Sequence, residues 1–427
     1  MAPARFAESG EILFLSHRIP FPPDRGDKIR SHHVLHALAA LAPVHVGTFA
    51  DDPEDRASEQ ALGLLAQSYC LVPRVLPLPV AGVTALASGR PVSLTAFDHA
   101  RLRTYIRQVL DTRPIAAIYV FSSQMGQYVP DDFSGRVVMD FVDVDSAKFD
   151  AYGENRRSLR AWIDRREGRL LRAEEARLAS RADVSLLISD AEAALFRSRL
   201  PGGSLHSRVL TMGNGIDNLL FSPDACAPEV QMRSAGGPRI IFTGQMDYAP
   251  NIAAAMRAAG RVLPLVRRKL PDATLHIVGR EPPAALRALH GHEGVHVWGR
   301  VPDMRPWLRG ADLALVPLEI ARGVQNKVLE AMAMGLPVVL TSGAATGIDA
   351  PDDHAFCIRD SDQAMADAVV SLWENSASRT EMALAARRWI ATHAGWEAAL
   401  AILPACLGVT GRQDDGNFSC GALDGVA

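Results

Sequence analysis

The chain has 427 residues, of which 48% are hydrophobic and 22% charged, with a net charge of −3. That length exceeds one ordinary core and predicts a folded protein of two domains. The near-neutral balance excludes the basic footprint of a nucleic-acid-binding protein. Cys70, Cys226, Cys357, Cys406 and Cys420 are scattered and never spaced C-x-x-C. A disulfide framework or cysteine metal site is therefore not expected, and a reducing compartment fits. MAPARFAESG lacks an apolar signal core, and no apolar run reaches the ~18 residues of a membrane span. The expected location is the cytoplasm, with peripheral contact at the inner membrane surface left open.

In chain order, β-branched apolar runs fall at 11–16 (EILFLS), 43–49 (PVHVGTF), 116–121 (AAIYVF), 136–142 (RVVMDFV) and 184–189 (VSLLIS). A second series follows at 239–243, 274–278, 295–298, 313–318 and 337–341. Helical stretches alternate with these runs, the pattern of parallel α/β domains whose strands are covered on both faces. Residues 155–181 interrupt it. Leu159, Trp162, Ile163, Leu170, Leu171 and Leu178 stand near helical spacing, with Arg156, Arg157, Arg160, Arg165, Arg166, Arg169 and Arg172 on the other face. This reads as a solvated amphipathic helix, or as a face for anionic lipid or an anionic acceptor. Residues 212–238 are rich in Gly, Pro, Ser and Asn and read as a connection. The predicted organisation is an acceptor-side Rossmann-like domain over 1–212, completed by a C-terminal helix near 390–407. A connection over 213–238 leads to a nucleotide-binding domain over 239–389, and 408–427 form a loose tail. The two domains are expected to face each other across a cleft.

The segment 319–342, EIARGVQNKVLEAMAMGLPVVLTS, carries the clearest chemistry. A loop with Gly323 leads into a helix that Gly335 ends before Pro337 opens the next strand. Lys327 and Glu330, three apart, share a face of its first turns. A helix starting at a strand's C-terminal edge offers free N–H groups to a phosphate. The Lys327 ammonium adds charge there, and the Glu330 carboxylate stands where it can accept both hydroxyls of a ribose.

The segment resembles the retaining glycosyltransferases of family 4, which have the GT-B fold. In the family an acid is followed eight positions later by a Glu, then Ala-Met-Ala and Gly-x-Pro-Val-Val. Here those are Glu330, Ala331-Met332-Ala333 and Gly335-Leu336-Pro337-Val338-Val339, while Arg322 stands in the first acid's place. The resemblance gives Glu330 the donor ribose. It extends to FTGQMDYAPN (242–251), with Gly244 near the phosphates, and to IVGREP (277–282). It also covers VHVWGRVPDMRPWL (295–308), where Arg300 and Val301 read the base. MGNGIDNLLFSP (212–223) is similar to the family's hinge, and LSHRIPFPPDRGDKIRSHHV (15–34) to its first loop, where Gly26 faces the donor. With ARGVQNKVLEAMAMG, the chain is most similar to the sugar transferases of PEP-CTERM/exosortase systems, linked to bacterial exopolysaccharide assembly.

The resemblance implies retaining transfer of a sugar from a nucleoside diphosphate donor to a glycan or lipid-linked acceptor. Lys327, the helix start near Gly323, and Arg322 would hold the diphosphate without a metal or other cofactor. DVD at 143–145 imitates the metal-binding motif of the other glycosyltransferase fold. Asp143 or Asp145 is the candidate for accepting the acceptor's proton, and a capping role is the alternative. Asp27, Lys28 and Arg30 are placed to meet an anionic acceptor. The H-E-x-x-H match at 292–296 lies between glycines before a strand, so it is not read as a zinc site. A GT-B sugar epimerase and a non-catalytic nucleotide-sugar-binding partner of an assembly system are the alternatives, distinguished by product analysis.

Overall fold

The computed structural model describes residues 10–23, 26–74, 78–153, 159–203, 205–246, 248–319 and 324–409. Two compact units result: one ends at Gly213 and regains the chain from Leu400, the other runs Asn214–Ala399.

The first unit is built on β1 (Glu11–Ser16), β2 (Val44–Ala50), β3 (Ser68–Pro73), β4 (Ile115–Phe121), β5 (Arg136–Val142), β6 (Val184–Leu187) and β7 (Val209–Thr211). All pair in parallel, in the order β3-β2-β1-β4-β5-β6-β7. β1 and β2 are buried along their whole length, as strands covered on both faces must be, hence their unbroken apolar runs. The helix Leu403–Leu407 returns to this unit, and Arg136 on β5 donates to the Cys406 carbonyl.

Two of the cations expected near an acceptor are instead internal. Arg30 is 1% exposed and donates to both oxygens of the fully buried Asp140, at 3.0 and 3.1 Å, and to the Gly213 carbonyl at 3.1 Å. Tyr119 donates to the same carboxylate at 2.7 Å. Lys28, equally buried, pairs with Asp55 at 2.5 Å. A charge removed from water must be paired inside the fold, and these lysine and arginine groups are held that way.

The long helix spans Leu159–Arg181. Its buried line is Ala161, Gly168, Leu171 and Leu178, interrupted by the buried Glu167 and Glu175. Glu167 accepts from the backbone of Val92 and Ser93, and Glu175 from Ser146 N–H, so each caps the start of a neighbouring helix. Trp162 and Ile163, expected on the apolar face, are exposed. The helix instead seats Gly168 closely on its neighbour, where a side-chain carbon would lie 2.4 Å from Asp150 Oδ1. Residues 154–158 lie outside the described residues.

The second unit carries β8 (Arg239–Thr243), β9 (Thr274–Val278), β10 (Val295–Gly299), β11 (Leu313–Val316), β12 (Val338–Leu340) and β13 (Cys357–Ile358). Its parallel order is β10-β9-β8-β11-β12-β13. Chain order reverses between β8 and β11, which makes the C-terminal ends of those two strands the switch point where open α/β sheets take ligands. The residues of H-E-x-x-H form a turn with Glu293 and Gly294 at positive φ, followed by β10, and not a helix.

Candidate functional site

The helix Asn326–Ala333 follows β11 and starts beyond its C-terminal end. It ends as the sequence predicts. Gly335 takes φ +70°, Leu336 N–H donates to the Ala331 carbonyl and Gly335 N–H to that of Met332, a Schellman motif. Lys327 is the second residue of this helix, and no acid occupies its first turn. A cation there opposes the helix dipole, so stability alone does not select it.

The Lys327 ammonium donates to Asn251 Oδ1 at 2.6 Å and lies 5.5 Å from the centre of the Phe242 ring. Burial pulls its pKa down to about 8, against the pull of Glu330 in the other direction. The Glu330 carboxyl is pushed up to about 7 by burial, and Lys327 offsets this in part. Among the described residues Glu330 accepts no side-chain hydrogen bond, although it is half-buried. A desolvated carboxyl without a hydrogen-bond partner among the described residues and a desolvated ammonium in the first turn of a helix are both unfavourable.

Asn251 was not singled out by sequence reasoning. It lies in the helix Ala249–Arg257 after β8, is buried, and its Nδ2 donates to the Gln245 carbonyl at 2.9 Å. The available signal was its place: Asn251, Ala254, Ala255 and Ala258 form one buried helical stripe, in which an amide is the exception. Asn251 thus ties the loop at Gly244 to the Lys327 helix.

Gly244 stands at the end of β8, where its N–H bonds the Val278 carbonyl at 3.1 Å, and Gly279 N–H bonds that of Gly299 at 2.9 Å. A side-chain carbon on Gly279 would lie 1.6 Å from the Gly244 carbonyl oxygen, so only glycine permits this approach of two loops. The same edge continues into Arg300, which is exposed, and Val301, which packs partly on the core. Gly244, Arg300, Val301, Lys327 and Glu330 therefore share the C-terminal edge of one sheet. Arg322 and Gly323 lie outside the described residues.

The β11 end is fixed independently. The buried Arg257 donates to the Pro317 and Asp360 carbonyls and to Asp362, and Thr341 Oγ1 donates to the Leu318 carbonyl. A pocket of about 540 Å³ opens there, between Pro250, Ala253 and Arg257 on one side and Pro317 and Glu319 on the other. A pocket of about 570 Å³ beside β13, lined by His354, Cys357 and Arg359, is larger but lies away from the switch point and these groups.

Gly26, Asp143 and Asp145 belong to the first unit. Gly26 opens the helix Gly26–Leu41, with open space where a side chain would begin. Asp143 and Asp145 follow β5, whose last residue, Val142, holds φ +67°. That backbone is unfavourable for a β-branched residue and coincides with a register shift against β6 between Asp140 and Val142. Both aspartates converge on one ammonium: Lys148 Nζ is 2.8 Å from Asp143 and 3.3 Å from Asp145. Asp145 also accepts from the buried Ser123 at 3.2 Å. A lysine therefore occupies the space between the two carboxylates of the DVD motif. Among the described residues no three His, Cys, Asp or Glu side chains gather as metal ligands.

Residues 237–375 match the family model described as glycosyl transferases group 1. No curated protein matches the chain in sequence. Among solved structures, Anabaena HepE in complex with UDP is similar over 94% of this chain and 100% of its own, with a TM-score of 0.58 and 14% identity. Sucrose-phosphate synthase from Thermosynechococcus elongatus covers 93% of this chain and 98% of its own, at TM-score 0.57 and 17% identity. A glycosyltransferase from Rickettsia africae ESF-5 covers 94% and 99%, at TM-score 0.58 and 12% identity. At such identities the likeness is one of fold. The chain has the α/β GT-B fold, two parallel-stranded units, and its segment 237–375 is similar to the glycosyl transferases of group 1.

Proposed function

We propose that the protein is a retaining glycosyltransferase that moves a hexosyl group from a nucleoside diphosphate sugar to a hydroxyl of a glycan or lipid-linked acceptor, in bacterial exopolysaccharide assembly. The observation that carries the reading is the Lys327–Glu330 pair. Its cation opposes the helix dipole and its carboxyl accepts no hydrogen bond among the described residues, and an anionic diphosphate beside a ribose would relieve both. HepE has been crystallised with UDP and with UDP-glucose, which supports a donor of this class.

In this reading Lys327 and the helix start near Gly323, with Arg322, stabilise the charge that develops on the departing diphosphate. Glu330 holds the ribose hydroxyls, and the backbone at Arg300 and Val301 meets the base. Gly244 lets the main chain approach the phosphates, and the family resemblance assigns Gly26 to the donor as well. Asp143 and Asp145, their charge shared with Lys148, orient the acceptor or take its proton. The chemistry rests on positioning and preorganised positive potential, with no metal required.

A panel of nucleotide sugars screened by thermal shift identifies the donor, because a ligand that binds the folded state raises the melting temperature. Calorimetric titration of Glu330→Ala with that donor is then expected to show roughly 10- to 100-fold weaker binding with folding retained. Undiminished binding by that variant refutes the assignment. Turnover is expected to persist in excess chelator, and loss restored by Mg²⁺ would refute the metal-free part.

A further inference from the structure

The long helix Leu159–Arg181 segregates its charge in a way that packing does not require. It holds seven arginines and four carboxylates. Three of the four carboxylates are engaged elsewhere. Glu167 and Glu175 are buried as caps, Asp164 is half-buried, and Glu174 is held by Arg177 at 2.7 Å. Arg169 and Arg172 stand seven and ten residues after Trp162, on the side away from the buried line of Leu171 and Leu178, and both are exposed, while Arg165, also exposed, is engaged in an interaction of its own. Trp162 is 50% exposed on that face, Ile163 beside it 38%, and Tyr152, on the helix packed against this one, 60%.

We infer that this face is a docking surface for an anionic lipid bilayer. Solvated helix faces mix their charges, whereas a cationic arc around a half-exposed tryptophan suits the interface, where arginine meets lipid phosphate and indole sits at headgroup depth. A soluble polyanion would use the arginines but leave Trp162 and Ile163 without purpose. Pairing with a second copy would set two arginine-rich faces against each other. The inference is independent of the donor site, which lies in the other unit, so either can fail without the other.

Flotation of the full chain with vesicles tests it. Binding is expected to vesicles containing phosphatidylglycerol, not to pure phosphatidylcholine, and to weaken as salt is raised. Arg169→Gln and Arg172→Gln together are expected to weaken binding roughly 30-fold. Trp162→Ala is expected to weaken it with every charge kept, and in the unaltered chain brominated lipid should quench a fluorescence component that Trp162→Phe removes. Circular dichroism and donor-induced thermal shift confirm that the variants fold. Equal affinity for both vesicle types, no binding to either, or unchanged binding by Trp162→Ala overturns the proposal. So does competition by a short RNA that the Trp162 change does not affect.

Discussion

Glu330→Gln is expected to stabilise the empty protein in a pH-dependent way while weakening it as a nucleotide binder. Burial raises the carboxyl from its ordinary 4.5 to about 7. A shift of that size is a preference of about 3 kcal/mol for the neutral form, reduced by solvent at a half-buried site to about 1–2 kcal/mol. The folded-state value lies above the unfolded one, so between them the folded chain keeps a proton that the unfolded chain has released. Stability therefore falls as pH rises from about 4.5 to about 7. A glutamine has the shape of the protonated acid and does not titrate. Its advantage over the native residue should be near zero at about pH 4.5 and approach about 1–2 kcal/mol at about pH 7, before most of the Lys327 discharge. Urea denaturation of both proteins across that interval, without nucleotide, measures the difference. An advantage independent of pH, or a variant less stable at the upper end, would refute the claim that Glu330 is desolvated and unpartnered.

Two further outcomes follow from the geometry. Asp140→Ala leaves the Arg30 guanidinium buried without the carboxylate that pairs it and should lower stability by about 3–5 kcal/mol. Arg30→Met with Asp140→Leu should regain most of that, and a single-variant loss under about 1 kcal/mol in chemical denaturation would contradict a sealed ion pair. Asn251→Ala removes the acceptor that favours the charged Lys327, so nucleotide affinity should fall about 10-fold. Its pH midpoint should move below the unaltered protein's value of about 8. Titration across pH checks this, and an unmoved midpoint would show that Asn251 only packs.

The sequence by itself determined the strands that lie inside the sheets, because a strand covered on both faces must be largely apolar, as the cores of β1, β5, β8 and β9 are. β3, β7 and β13 were not legible, and each is an edge of its sheet, although the fourth edge strand, β10, was read from its apolar residues. An edge strand is short or half-covered, as the mixed burial of Ser68–Pro73 shows, so it leaves no continuous apolar run. The end of the Lys327 helix at Gly335 was legible too, since a left-handed residue selects glycine locally.

Only the tertiary structure decided how the charges are used. Lys28 and Arg30 look like acceptor contacts in sequence, but Asp55 and Asp140, 27 and 110 residues away, hold them inside the first unit. Asp143 and Asp145 read in sequence as acid-base candidates, and only the structure shows Lys148 paired with both. Asn251 becomes part of the site only because β8 and β11 are neighbours, which brings it within 2.6 Å of Lys327, 76 residues on. Periodicity reports burial along one element. The partner of a charge is set by which elements pack together, and that information is spread over the whole chain.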